Sequence, residues 1–105
     1  MSKLTDVIRN QILRGLALQV CHETGAVGAS TQLIAAALCR EGFATTADDV
    51  ADACRYLEGK GLIETVRREN KALQISRAIS RVTPLGTDVL EGTAQAEGVE
   101  IGHGA

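Results

Sequence analysis

The sequence predicts a mainly helical α+β domain: a three-helix core, a two-stranded β-hairpin and a short closing helix. Three observations predict it. Val50, Ala53, Cys54 and Leu57 recur at the period of a helix with one apolar face. That period stops at Gly59-Lys60-Gly61, where glycine supplies the positive φ a sharp reversal needs, and Leu62, Ile63 and Val66 resume as a strand. Two more apolar helical stripes precede this segment, and Thr83-Pro84, a helix-opening pair, follows it.

Residues 3–23 are predicted as the first helix. Leu4, Val7, Ile8, Ile12, Leu16 and Val20 trace its apolar stripe, broadened by Leu13, Ala17, Leu18 and Cys21. Lys3, Arg9, Asn10 and Arg14 fall mostly on the other side. Gly15 weakens the helix relative to alanine, which predicts a close helix–helix approach there. A helix this apolar is central to the core or partly used in a dimer contact.

Residues 23–29 read as a loop punctuated by Gly25 and Gly28. Ser30 is a good N-cap for the second helix, Thr31 to Arg40, whose predicted buried face is Leu33, Ile34, Ala37 and Leu38. Thr46 followed by Asp49 resembles a capping box for the third helix, with Asp in place of Glu. Asp48 and Asp49 also face the positive end of that helix's dipole.

The hairpin is predicted with a first strand at 62–68, a turn at Glu69-Asn70-Lys71 and a return strand within 73–83. Thr83 and Pro84 open the last helix, which buries Leu85, Val89 and Leu90 and ends near Glu91. The domain is therefore expected over 1–91. Residues 92–105, rich in Gly and Ala, are expected to form a mobile tail on which Val99 and Ile101 could dock.

A chain of 105 residues makes one domain with a single core. Tyr56 and Phe43 are its only large aromatics, so the core is aliphatic and a base-stacking platform for single strands is excluded. The net charge of -2 departs from the strongly basic balance of many nucleic-acid binders, although local patches outweigh the total. No apolar run approaches membrane-spanning length and no signal-peptide core is apparent, so a cytoplasmic protein without membrane contact is expected.

Cys21, Cys39 and Cys54 are odd in number and widely spaced, which predicts reduced, buried thiols in helices and no metal site. Ser30, Ser76 and Ser80 lack a nucleophile-elbow context, and the histidines, His22 and His103, lie near no base. Phosphate-binding glycine loops are absent too. The expectation is a protein that is not an enzyme and uses no cofactor. A catalytic reading would need a pocket bringing His22 or a cysteine within reach of a base.

The second and third helices, joined by a short turn, form a helix-turn-helix whose second member would read a DNA groove. The segment Tyr56-Leu57-Glu58-Gly59-Lys60-Gly61-Leu62-Ile63-Glu64 resembles the recognition helix and first wing strand of winged-helix proteins, and Thr83-Pro84-Leu85-Gly86 resembles the exit from such a domain. Over nearly its whole length the chain is similar to the short winged-helix proteins of Mu-like phages and prophages. That likeness rests on the helix from Ile8-Arg9 to Leu18, Gly28-Ala29-Ser30, Tyr56 to Ile63, and Thr83 to Glu91.

The winged-helix resemblance implies that the third helix enters a major groove and the wing meets a neighbouring backbone or minor groove. Arg55, Tyr56 and Lys60 would then reach bases or phosphates. Arg67, Arg68, Lys71 and Arg77, set against Glu69 alone, would neutralise phosphates of double-stranded DNA. The phage resemblance implies a small regulatory accessory protein in the host cytoplasm, as a homodimer or with a phage or host protein.

Asp48, Asp49 and Asp52 oppose a groove-reading role, because they point outward or sideways when Val50, Cys54 and Leu57 turn inward. An acidic helix beside a basic wing also suits a protein–protein interaction module that does not bind DNA. Charge geometry discriminates the two. Wing cations converging with Arg9, Arg14 and Arg40 favour DNA, and a continuous acidic helix face favours a protein.

Overall fold

The structure, a computed structural model, describes residues 3–102. The ends of the expected domain and tail, with His103, lie outside the described residues. Four helices and a three-stranded antiparallel sheet make a mixed α+β fold: α1 (Lys3–Thr24), β1 (Ala29–Ser30), α2 (Thr31–Arg40), α3 (Ala47–Gly59), β2 (Ile63–Asn70), β3 (Ile75–Val82) and α4 (Pro84–Glu91).

The sheet order is β1-β3-β2, so the expected two-stranded hairpin gains a third strand. After α1 a 3-10 turn over Gly25–Val27 delivers Gly28 alongside β3. A Cβ at Gly28 would meet Ile79, Arg81 and the Ser80 carbonyl within 3 Å, and its φ of 79° is one that favours glycine. That close approach lets Ala29 pair with Ser80 and Ser30 with Ile79 where a loop was expected.

The hairpin also runs further than predicted. Asn70 stays in the ladder opposite Ile75, and the turn is Lys71 to Gln74 instead of Glu69 to Lys71. Two local features set it: the Asn70 side chain accepts from Leu73 N at 3.1 Å, and Gln74 adopts φ 54°.

Helix starts follow the sequence closely. Ser30, Thr46 and Thr83 each accept from the backbone N–H three residues on, at 3.1 Å. Thr83 also donates to the Gly61 carbonyl at 2.6 Å, which ties the start of α4 to the root of β2.

The aliphatic core lies among α1, α2, α3 and the hairpin root. Leu13, Leu18, Ile34, Val50, Leu57, Leu62 and Ile63 are fully buried. On α1 the buried residues are Leu13, Gly15, Ala17, Leu18 and Cys21, so the core face is rotated from the predicted stripe. Leu4 (67% exposed), Val7 and Ile8, in the first turns of α1, are left uncovered. Leu33 and Leu85 are likewise exposed, and α2 buries Ala35 in place of Leu33 because Ile34, Ala35 and Leu38 share its inner side.

Gly15 is tight for a reason other than the predicted helix–helix approach. A Cβ there would overlap the Glu100 carbonyl oxygen, which is brought in by residues 92–102 folding back over α1. Glu100 N donates to the Gln11 carbonyl at 3.0 Å, and Ala94, Ala96, Val99 and Ile101 pack against the core. No helix among the described residues is long and apolar enough to cross a membrane.

Candidate nucleic-acid interface

The third helix buries Val50, Ala53, Cys54 and Leu57, so its outer surface is set by what remains: Asp48, Asp49, Asp52, Arg55 and Glu58 are exposed. Arg55 pairs with Asp52 one turn back at 2.8 Å, both side chains more than 70% exposed. Such a pair contributes little to stability, but it spends the one cation of this face locally. Asp49 faces Arg9 of α1 at 3.9 Å, and Arg9 also donates to the Ala44 carbonyl and lies over Phe43. The face left to solvent is acidic.

Tyr56 and Lys60 turn to the other flank of the helix. The Arg14 guanidinium stacks 3.7 Å from the centre of the Tyr56 ring, and the Lys60 ammonium stands 5.5 Å from it. The Tyr56 hydroxyl donates to the Glu97 carbonyl at 2.9 Å. Tyr56 is thus half-buried beneath residues 92–102 and is not free to meet a groove. Arg14 joins this cluster, a role that helical spacing did not signal because its partner lies on another helix and on the returning chain.

The hairpin register sorts the remaining cations. Arg68 stands directly opposite Arg77, and Arg67 opposite Ala78. Side chains alternate across a ladder, so Arg68 and Arg77 share one face with Val66, Ile75 and Ile79. Arg67 lies on the other face, where it donates to the Ser76 hydroxyl at 3.0 Å. Lys71 opens the turn at the tip, beside the exposed Leu73. Among the described residues no carboxylate forms an ion pair with any of these four cations.

Like charges directly opposed on a ladder are destabilising. The Arg68–Arg77 pair is therefore a local electrostatic cost that an anion between the two would offset. On the opposite face, Thr65 and Ser80 hydrogen-bond at 3.1 Å, and the Glu58 carboxylate accepts from Thr65 N at 3.2 Å. That bond fixes the angle between the end of α3 and the hairpin.

Arg9, Arg14 and Arg40 have three separate sets of neighbours. Arg9 meets the start of α3, Arg14 meets Tyr56, and Arg40 lines the apolar groove between α1 and α2 with Leu16, Val20, Leu33 and Phe43. The structure does not gather them with the wing.

Two of the three thiols are held in the neutral form. Burial pushes Cys21 up to about 12, with a smaller contribution from neighbouring Cys54. Cys54 is raised by burial as well, against a hydrogen bond with Ser80 that lowers it. Neutral buried thiols are poor nucleophiles. Cys39, expected to be buried, is exposed at the end of α2 and donates to the Thr45 carbonyl at 3.3 Å. His22 lines a shallow cleft with Glu64, Arg81 and Thr87, and no hydrogen bond couples it to them. No group of three or more His, Cys, Asp or Glu side chains among the described residues could hold a metal ion. No protein-family model matches the chain, and no curated protein matches it.

Proposed function

We propose that the protein is a winged-helix DNA-binding regulatory accessory protein, of the kind encoded by Mu-like phages, whose hairpin leads the contact with duplex DNA. One observation carries the reading: Arg68 and Arg77 oppose each other on the ladder with no carboxylate between them. Helix order supports the winged-helix assignment, since α1, α2 and α3 precede the hairpin and the short β1 pairs with β3. Cations on both faces of the hairpin and at its tip suit a ribbon flanked by phosphates on two sides, lying between two backbones instead of flat on one. The acidic face of α3 and the dispersal of Arg9, Arg14 and Arg40 away from the hairpin favour the protein-interaction alternative. On the DNA reading the hairpin therefore supplies nearly all the affinity. Sequence discrimination by this helix is correspondingly weak, because backbone contacts position a protein without reading bases.

Fluorescence anisotropy with mixed-sequence duplex DNA at several salt concentrations tests this. Affinity falls with salt, and the slope of log K against log salt shrinks by about 3 in Arg67→Ala/Arg68→Ala/Lys71→Ala, as expected for three lost phosphate contacts. No binding at low salt, with or without the substitutions, overturns the reading. It then leaves the protein-interaction alternative, which the exposed Asp48, Asp52 and Glu58 of α3 favour.

A further inference from the structure

We propose that residues 92–102 are a strap that covers Arg14 and Tyr56 of a second phosphate-binding site, which the exposed Lys60 completes. This inference rests on the wing-led DNA reading and extends it to the flank of α3. The site has the chemistry for an anion. Two cations converge on one phenol ring, at 3.7 and 5.5 Å from its centre, and the hydroxyl at the ring's end is a donor.

What presently fills it is neutral. Arg14 Nη1 donates to the Gly98 carbonyl at 3.1 Å, and Tyr56 donates to the Glu97 carbonyl at 2.9 Å. Asp49 and Asp52 line a cleft with Arg14, but each carboxylate is paired, with Arg9 and Arg55 respectively. Hydrogen bonds to an ionised acceptor are roughly twice as strong as those between neutral groups. A phosphate oxygen is therefore a stronger acceptor than the strap's carbonyls for the same donors. Glu97 and Glu100 also place acidic side chains on the strap itself, which duplex DNA would repel.

The strap is built to be released. It contains no helix or strand, and Val99 and Ile101 are only half-buried against the core. Segments with few buried apolar contacts open at low free-energy cost. Its fit depends on two glycines that bear no charge. A Cβ at Gly15 would overlap the Glu100 carbonyl oxygen, and a Cβ at Gly98, where φ is 79°, would overlap the Tyr56 hydroxyl.

Gly15→Ala and Gly98→Ala therefore undock the strap at Glu100 and at Gly98 without removing a cation, and the clash made by Gly15→Ala is with Glu100 and does not involve Tyr56. Undocking is read by loss of hydrogen-exchange protection at Glu100 N. It is read independently by the emission of Tyr56, the single tyrosine in a chain without tryptophan. In each full-length variant the expected result is duplex affinity at least about tenfold above wild type, with the salt slope steeper by about 1, since Arg14 is the cation the strap covers. Arg14→Ala in the Gly15→Ala background returns both to wild type.

An undocked strap with unchanged affinity and slope overturns the inference, while the wing substitutions continue to report on the wing reading. A strap that stays docked in both variants overturns it too, since these contacts then do not hold it. Absence of DNA binding by every form removes the wing reading and this inference together.

Discussion

The third helix and the hairpin follow it in sequence as neighbours, yet they divide the work of the molecule. The helix buries four residues, including Val50 and Leu57 with no exposed surface, and it pairs its one outer cation, Arg55, with Asp52, which leaves an acidic face. The hairpin buries little beyond Ile63 and Ser80, and leaves its cations without carboxylate partners. The winged-helix reading would have the third helix recognise, whereas the helix here stabilises and the hairpin carries the charge. Stability and electrostatic reach are separable by substitution when they reside in different elements.

The largest expected effect breaks the stabilising half. Leu57→Ala leaves a cavity where α3 meets the core and costs about 2–5 kcal/mol. Leu73→Ala at the exposed hairpin tip removes a comparable side chain from water-facing surface and changes stability by less than about 0.5 kcal/mol. Urea unfolding of both variants measures the contrast. Equal losses would show that the hairpin tip is packed in solution and that the division is false.

The second effect is a pH dependence confined to the helical half. Cys21 titrates near 12 when folded and near its ordinary value of 9.0 when unfolded. Below 9.0 both states hold the proton and the buried thiol's contribution is fully present. Between there and about 12 the unfolded chain releases a proton that the folded chain keeps, so unfolding becomes easier as pH rises. The slope is about 1.4 kcal/mol per pH unit for one thiol. Cys54, also raised by burial, adds in the same direction. Urea midpoints between pH 8 and 11 should fall in wild type and fall less steeply in Cys21→Ala. The absolute stability of that variant is irrelevant, because its slope is the readout.

The same division explains what the sequence made legible. Helix boundaries were readable at Ser30, Thr46 and Thr83 because a capping side chain and its target amide are three residues apart. Local chemistry decides them. The strand β1 was hidden because two residues carry no period, and its only signal was Gly28, whose need for a close approach depends on β3 fifty residues later.

The α1 core face was misjudged for a related reason. Leu4, Val7 and Ile8 are as apolar as Leu13 and Leu18, and only the length of the rest of the domain decides which are covered. At the candidate interface, the sequence named Arg68 and Arg77 but could not oppose them, because register depends on where the turn falls. It placed Tyr56 at a DNA surface and missed that residues 92–102 reach it first. Residue types were legible, and juxtapositions across the fold were not.

The smallest expected effect in stability is the sharpest test of the comparison, because it should move stability and binding in opposite directions. Arg77→Glu converts a like-charge pair on the ladder into an opposite-charge pair with Arg68. Cross-strand pairs of this kind contribute about 0.2–1 kcal/mol, so the variant should be slightly more stable than wild type. Both side chains are exposed, so the gain should shrink as salt screens it, and urea midpoints at low and high salt check that.

DNA affinity should fall in the same variant, since one phosphate ligand is lost and a carboxylate now faces the backbone. A residue that lowers the stability of its own fold while raising affinity is the signature of a binding surface. Arg77→Gln should sit between wild type and Arg77→Glu on both measurements. If stability and affinity instead fall together, Arg77 supports the hairpin through contacts of its stem, and the unpaired charge has no separate role.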